Sequence, residues 1–175
     1  GLGDVYKRQV HRGAFFAELK TTTVRKLLPE AWGFLCPVHT PDGSPCGLLN
    51  HFSHTCELTT KDLDVAHVPA LLASLGMTEV VAANVSPRTH VTVQLDGVIL
   101  GYATPALARH MATVLRVWKT EGLHEVPLDL EIGFVPTSHG GQYPGLYLFS
   151  GRARMMRPVT YLFNGRRDKV GPFEQ

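Results

Sequence analysis

Three features of the sequence point to an α+β fold, with an irregular, proline-rich first third followed by a mixed strand–helix module. First, Gly33, Pro37, Pro41, Gly43, Pro45 and Gly47 punctuate one stretch so densely that neither a regular helix nor a central strand can cross it. Second, Val91, Val93 and Leu95 alternate before Asp96-Gly97, and Val98-Ile99-Leu100 follow. That is the pattern of a hairpin whose two-residue turn needs positive φ at both central positions. Third, Leu107, Met111, Val114, Leu115 and Trp118 fall on one face of a helical repeat.

In chain order, residues 10–31 carry Arg12, Lys20, Arg25 and Lys26 against Glu18 and Glu30, with Phe15 and Phe16 between them. The β-branched run Thr21-Thr22-Thr23-Val24 favours extended or turn structure there. Trp32 to Leu49 reads as a loop of fixed path, and Asn50 to Thr59 as a strand. Asp64 to Gly76 predicts a short helix, with Val65, Val68, Leu71, Leu72 and Leu75 near helical spacing and Gly76 as its stop. The hairpin occupies His90 to Tyr102. Thr104 caps the next helix, Pro105 takes its first position and Gly122 closes it. Leu128 to Val135 and Tyr143 to Phe163 read as further strands.

The chain has 175 residues, 44% of them hydrophobic, with a net charge of +2, values that exclude a disordered chain and a general polyanion sponge. No apolar run approaches the ~20 residues needed to span a bilayer, and no basic-then-apolar leader opens the sequence, so no membrane is expected as a partner. Three cysteines cannot close a disulfide framework, which favours a reducing compartment. Gly1 to Gln9 reads as translated sequencing adapter, its codons resembling a transposase mosaic end, and residues 1–9 are set apart from fold reasoning. The missing initial Met and the stop at Phe173-Glu174-Gln175 read as a fragment of a longer chain.

Several chemistries are open to these residues. Cys36, His39, Cys46, His51, His54 and Cys56 crowd together at spacings zinc accepts, but without a Cys-x2-Cys knuckle and on proline-locked chain; small buried thiols and hydrogen-bonded loop histidines are the plainer alternative. Cys36 or Cys46 with a histidine could form a thiolate pair. Asp42 sits in Pro-Asp-Gly, an ordinary turn setting, and Ser138-His139-Gly140-Gly141 reads as a loop. Two basic segments, Arg12 to Lys26 and Arg152 to Lys169, carry interleaved aromatics. They suit phosphate contact and base stacking, or a docking surface.

More specific is the run Phe15-Phe16-Ala17-Glu18-Leu19-Lys20-Thr21-Thr22-Thr23-Val24-Arg25-Lys26-Leu27-Leu28-Pro29-Glu30-Ala31-Trp32-Gly33-Phe34-Leu35-Cys36-Pro37, followed by Val38-His39-Thr40-Pro41-Asp42-Gly43-Ser44-Pro45-Cys46-Gly47-Leu48-Leu49-Asn50. It resembles the fork region of the second-largest subunit of multisubunit DNA-directed RNA polymerases, with Asp42 in place of the family's Glu. Trp-Gly-Phe-Leu-Cys-Pro-Val-His-Thr-Pro-Asp-Gly looks like the polymerase I version. Gly141 to Phe149 and Ala153 to Val159 are similar to the external domain of that subunit.

The resemblance implies a division into residues 10–62, the C-terminal part of the fork, and 63–175, a truncated external domain. It implies that Arg12, Lys20, Arg25 and Lys26 lie near nucleic acid, and that Thr40, Pro41, Asp42 and Gly43 form a rigid loop near the active centre. It implies no catalytic residue and no metal ligand in this segment, and no zinc at Cys36, Cys46 or Cys56. The Mg²⁺ of the full enzyme is held mainly by the largest subunit. Expected partners are the largest and smaller polymerase I subunits, the DNA template, the RNA–DNA hybrid and ribonucleoside triphosphates. The activity implied is that of a nucleotidyltransferase making ribosomal RNA precursor in the nucleus, at the nucleolus, with the fragment inactive alone. The same subunit of polymerase II or III, a stand-alone nucleic-acid-binding module and a zinc-binding module are the alternatives.

Overall fold

In the computed structural model the described residues are 8–82, 84–139 and 143–175. They form β1 (Gln9–His11), α1 (Ala14–Ala17), β2 (Leu49–His51), β3 (Glu57–Leu58), α2 (Val68–Ser74), β4 (Thr78–Glu79), β5 (Val91–Leu95), β6 (Val98–Ala103), α3 (Pro105–Glu121), β7 (Glu131–Val135), β8 (Gly145–Phe149), β9 (Met155–Thr160) and β10 (Arg167–Val170). An α+β architecture is what the sequence led one to expect. Residues 1–7, most of the adapter-like stretch, lie outside the described residues, as do Gly140 and Gly141 of the expected loop.

The expected hairpin forms the middle of a five-stranded sheet of order β4-β6-β5-β8-β7. Its turn has φ of 49° at Asp96 and 82° at Gly97. The Asp96 carboxylate accepts from the Ser150 backbone N–H at 2.8 Å and from its hydroxyl at 2.5 Å, which ties the turn to the end of β8. β5 and β8 pair in parallel, Leu95 opposite Leu148, and every other pair in this sheet is antiparallel. The connection between the parallel pair runs through α3, which packs on the sheet.

That helix begins and ends as the sequence requires. The Thr104 hydroxyl accepts from the Leu107 N–H, and Gly122 closes the helix in the left-handed region at φ 68°. Ala108, Met111, Ala112 and Leu115 are buried against Val93, Ile132, Leu146 and Leu148. Leu107 and Trp118 pack at the margin of this core, whereas Val114 is only half-buried.

The same face buries a charge. Lys119 and Asp168 are both fully buried, with Nζ 2.9 Å from Oδ1. Nζ also donates to the carbonyls of Leu130 at 2.8 Å and Lys169 at 2.7 Å. Asp168 in turn accepts from the Tyr161 hydroxyl and the Lys169 N–H. Asp168 lies on β10, so this network fastens a second sheet, β10-β9-β3, to the end of α3. Burial and this hydrogen bond to a carboxylate push the Tyr161 phenol up to about 12.

Three expected elements take a different form. The strand expected over Asn50–Thr59 divides into β2, paired with β1, and β3, paired with β9. Tyr143–Phe163 divides at Gly151–Arg154 into β8 and β9, which join different sheets because Thr59 exchanges backbone hydrogen bonds with Ala153 and Arg154 there. The helix expected over Asp64–Gly76 is confined to Val68–Ser74, where Val68 and Leu72 are buried. Its reach is cut by Asp64, whose carboxylate bonds the Ala66 N–H and holds a turn instead.

Past β10 the segment Gly171–Gln175 folds back over β7. The Glu131 carboxylate, 4% exposed as a residue, accepts from the N–H groups of Phe173 and Glu174. Phe173 lies across Gly133, where a Cβ would collide with its ring, and against Tyr147 and Phe149. Gln175 donates to the Trp32 carbonyl. Arg157 lies over the Phe34 ring with its guanidinium 5.8 Å from the centroid. The proline-rich third is thereby joined to the strand–helix module.

Candidate nucleic-acid interface

The proline-rich loop is held by hydrogen bonds rather than by apolar burial. The Thr40 hydroxyl donates to the Leu49 carbonyl at 2.8 Å and accepts from the Gly47 N–H at 2.9 Å. Within the span, the Cys46 N–H reaches the Gly43 carbonyl and the Leu48 N–H the Pro45 carbonyl. Gly43 and Gly47 have φ of 80° and 75°, a region glycine enters without strain. Three prolines fix much of the remaining path. Asp42 and Gly43 are therefore presented, exposed, at the end of a stitched loop, while Thr40 and Pro41 are half-buried in its base.

The four basic residues singled out by sequence do not act together. Arg12 and Lys26 line one groove of about 180 Å³, with Leu27, Glu30, Phe34 and Asn50. Lys20 is exposed and lies outside that groove. None of the ion pairs among the described residues engages Arg12, Lys20, Lys26 or Asp42. Arg25 is turned the other way, and its Nη1 donates to the carbonyls of Ser44 at 2.6 Å and Cys46 at 2.9 Å. Backbone acceptors have no side-chain signature, so nothing in the local sequence distinguishes Arg25 from Lys26.

The Cys/His cluster disperses. Among the described residues no three His, Cys, Asp or Glu side chains gather as a metal site would require. His39 and His51 stack with ring centroids 3.6 Å apart. Burial of His51, and then the neighbouring His39, lower the pKa of His51 from its ordinary value. Cys36, Cys46 and Cys56 are free thiols. Burial, reinforced by Glu57, pushes the Cys56 thiol up, away from a reactive thiolate.

Most of the second basic segment is paired. Arg152 meets Asp62 at 2.9 Å, Arg166 meets Glu121 at 2.5 Å, and Lys169 meets Glu57 at 2.7 Å and Asp129 at 3.1 Å. Arg154 donates to the carbonyls of Gly151 and Asp129. Its role is packing between the sheets. One cavity had no sequence signal at all. About 730 Å³ opens on the five-stranded sheet, lined by Tyr102, Tyr143, Tyr147, Gln94, His90 and Ile99 among others, without an Asp, Glu, Lys or Arg.

Residues 5–58 match the family described as RNA polymerase Rpb2, domain 3, and residues 100–157 match the RNA polymerase I, Rpa2 specific domain. The chain is similar to the DNA-directed RNA polymerase I subunit RPA2 of Eremothecium gossypii, 61% identical over 177 residues, which takes in 96% of this chain and 14% of that protein. It is 57% identical over 169 residues to the polymerase I subunit RPA135 of Saccharomyces cerevisiae, again 96% of this chain and 14% of the relative. Against subunit RPA2 of Homo sapiens the identity is 46% over 170 residues, 96% of this chain and 15% of the relative. The chain thus spans 14–15% of the length of these three relatives.

Proposed function

Because the chain belongs to the second-largest-subunit family of DNA-directed RNA polymerase I, we propose that it forms part of the wall of that enzyme's DNA/RNA cleft. Residues 10–62 are the C-terminal part of the fork and residues 63–175 the external domain. The match to a polymerase I-specific domain over 100–157 favours polymerase I over polymerases II and III. The complete enzyme is a nucleotidyltransferase that joins ribonucleoside triphosphates on a DNA template to make ribosomal RNA precursor. Its partners are the largest and smaller subunits, the template and the RNA–DNA hybrid, and it works in the nucleus, at the nucleolus.

Mg²⁺ belongs to the largest subunit in this scheme. Among the described residues no three carboxylate, imidazole or thiolate ligands gather to hold it. What this chain contributes is a surface. Arg12 and Lys26, with no ion-pair partner among the described residues, line one groove beside a rigid loop. Cations facing phosphate attract every sequence equally, as an enzyme that must transcribe any template requires.

The test uses complete polymerase I on a transcription bubble. Arg12→Ala and Lys26→Ala should each lower the slope of log K against log salt by about 0.9 for a lost duplex phosphate contact. Arg152→Ala, which removes a cation already paired with Asp62, should leave it unchanged. Equal slopes in all three variants would refute the proposed contact.

A further inference from the structure

Given the polymerase function proposed above, we infer that Arg25 is a positioning residue that fixes the loop carrying Thr40, Pro41, Asp42 and Gly43, rather than a contact for nucleic acid. One nitrogen, Nη1, donates to two carbonyls, those of Ser44 and Cys46, at 2.6 and 2.9 Å. These charge-assisted bonds flank Pro45, in the half of the loop that returns from the Asp42-Gly43 tip. The Thr40 hydroxyl fastens the base of the same loop to Gly47 and Leu49. The loop is therefore held from two sides, by one internal hydroxyl and one external guanidinium.

The backbone geometry shows the same contact independently. Arg25 ends a single 3-10 turn over Thr23–Arg25, and its own N–H bonds the Thr22 carbonyl at 3.1 Å. This turn lies so close to Gly47 that a Cβ there would strike the Arg25 carbonyl oxygen and press on its Cα. Gly47 also sits at φ 75°, so any side chain would be strained as well as crowded. Arg25 and Lys26 divide the work of one short turn. Lys26 lines the groove that Arg12 shares, while the Arg25 guanidinium donates to loop carbonyls. A displacement of about 1 Å at reacting groups can cost ~10²-fold in rate, so the position of the loop is worth holding.

The experiment compares variants of the full-length subunit assembled into complete polymerase I. Arg25→Ala should lower kcat for single-nucleotide addition by between about 10- and 100-fold with little change in KM. It should raise deuterium uptake at the amides of residues 40–48, and leave the salt slope of template binding as in the parent enzyme. Gly47→Ala, which touches no charge, should reproduce all three results. The double variant should be no worse than either single one, because both break one contact. Arg25→Lys, which retains a cationic donor, should restore most of kcat. If Gly47→Ala does not assemble, Arg25→Ala against Arg25→Lys decides alone. A fall in the salt slope with unchanged exchange at residues 40–48 would make Arg25 a phosphate contact and overturn the inference, as would an unchanged kcat in Arg25→Ala. Failure of the nucleic-acid reading itself would show separately, in the slopes of the Arg12 and Lys26 variants.

Discussion

Replacing Lys119 by Met should cost about 3–5 kcal/mol of folding stability. The methionine side chain fills the volume of the lysine stem but cannot donate. It would leave Asp168, fully buried, without the cation now 2.9 Å from its Oδ1. The Tyr161 hydroxyl and the Lys169 N–H would remain as its neutral donors. The carbonyls of Leu130 and Lys169 would each lose a charged donor as well. Urea unfolding of the chain, followed by fluorescence of the adjacent Trp118, reads this directly. With a slope near 2 kcal/mol per molar urea, the midpoint should fall by about 1.5–2.5 M. Asp168→Asn should also destabilise, since it strands the ammonium. The double variant, with neither charge, should be less destabilised than the sum of the two by about 1–3 kcal/mol. A midpoint shift under about 0.5 M, or strict additivity, would refute a buried pair whose cost lies in leaving one charge alone.

Three further outcomes are expected. Spectrophotometric titration should find the Tyr161 phenol ionising near 12. Its folded pKa lies above the ordinary phenol value, so the stability it contributes is complete below about pH 10 and is lost as pH rises through the folded pKa. Asp168→Asn should bring it only part of the way down, because burial is the larger cause. Gly133→Ala should displace Phe173 from Tyr147 and Phe149, lower stability by about 1–3 kcal/mol, and raise deuterium uptake at the amides of Phe173 and Glu174. Asp96→Ala should lose two hydrogen bonds to Ser150 and the tolerance of positive φ, about 1–2 kcal/mol, measured by urea unfolding.

What could be seen in the sequence was chemistry that acts over a few residues. The hairpin follows from Asp96-Gly97 between two apolar runs, and the bounds of α3 from Thr104, Pro105 and Gly122, because turn and cap bonds close within the segment that encodes them. The burial of Lys119 could not be seen, since the carboxylate that permits it arrives on β10, far along the chain. Nor does Arg-Asp-Lys-Val advertise a strand; β10 forms because Arg167 to Val170 pair with β9. In the candidate interface, the loop was legible from its prolines. The opposite orientations of Arg25 and Lys26 were not, because they are decided by carbonyls of residues 44 and 46 and by the bare α-carbon of Gly47.

The parallel alignment of β5 with β8 sets an order of events during synthesis. β5, β6 and α3 are all synthesised before β8, the parallel neighbour of β5, because Leu95 waits for Leu148. At ~5–20 residues per second, the roughly fifty intervening residues take several seconds to appear. For the later part of that time, once α3 has been made, Met111 and Leu115 have only half of their sheet to cover them. A chaperone that recognises an amphipathic helix has its opportunity in this interval. Translation slowed between β6 and β8 would lengthen the exposure, and so lower the yield of native subunit, without altering a single contact of the finished fold.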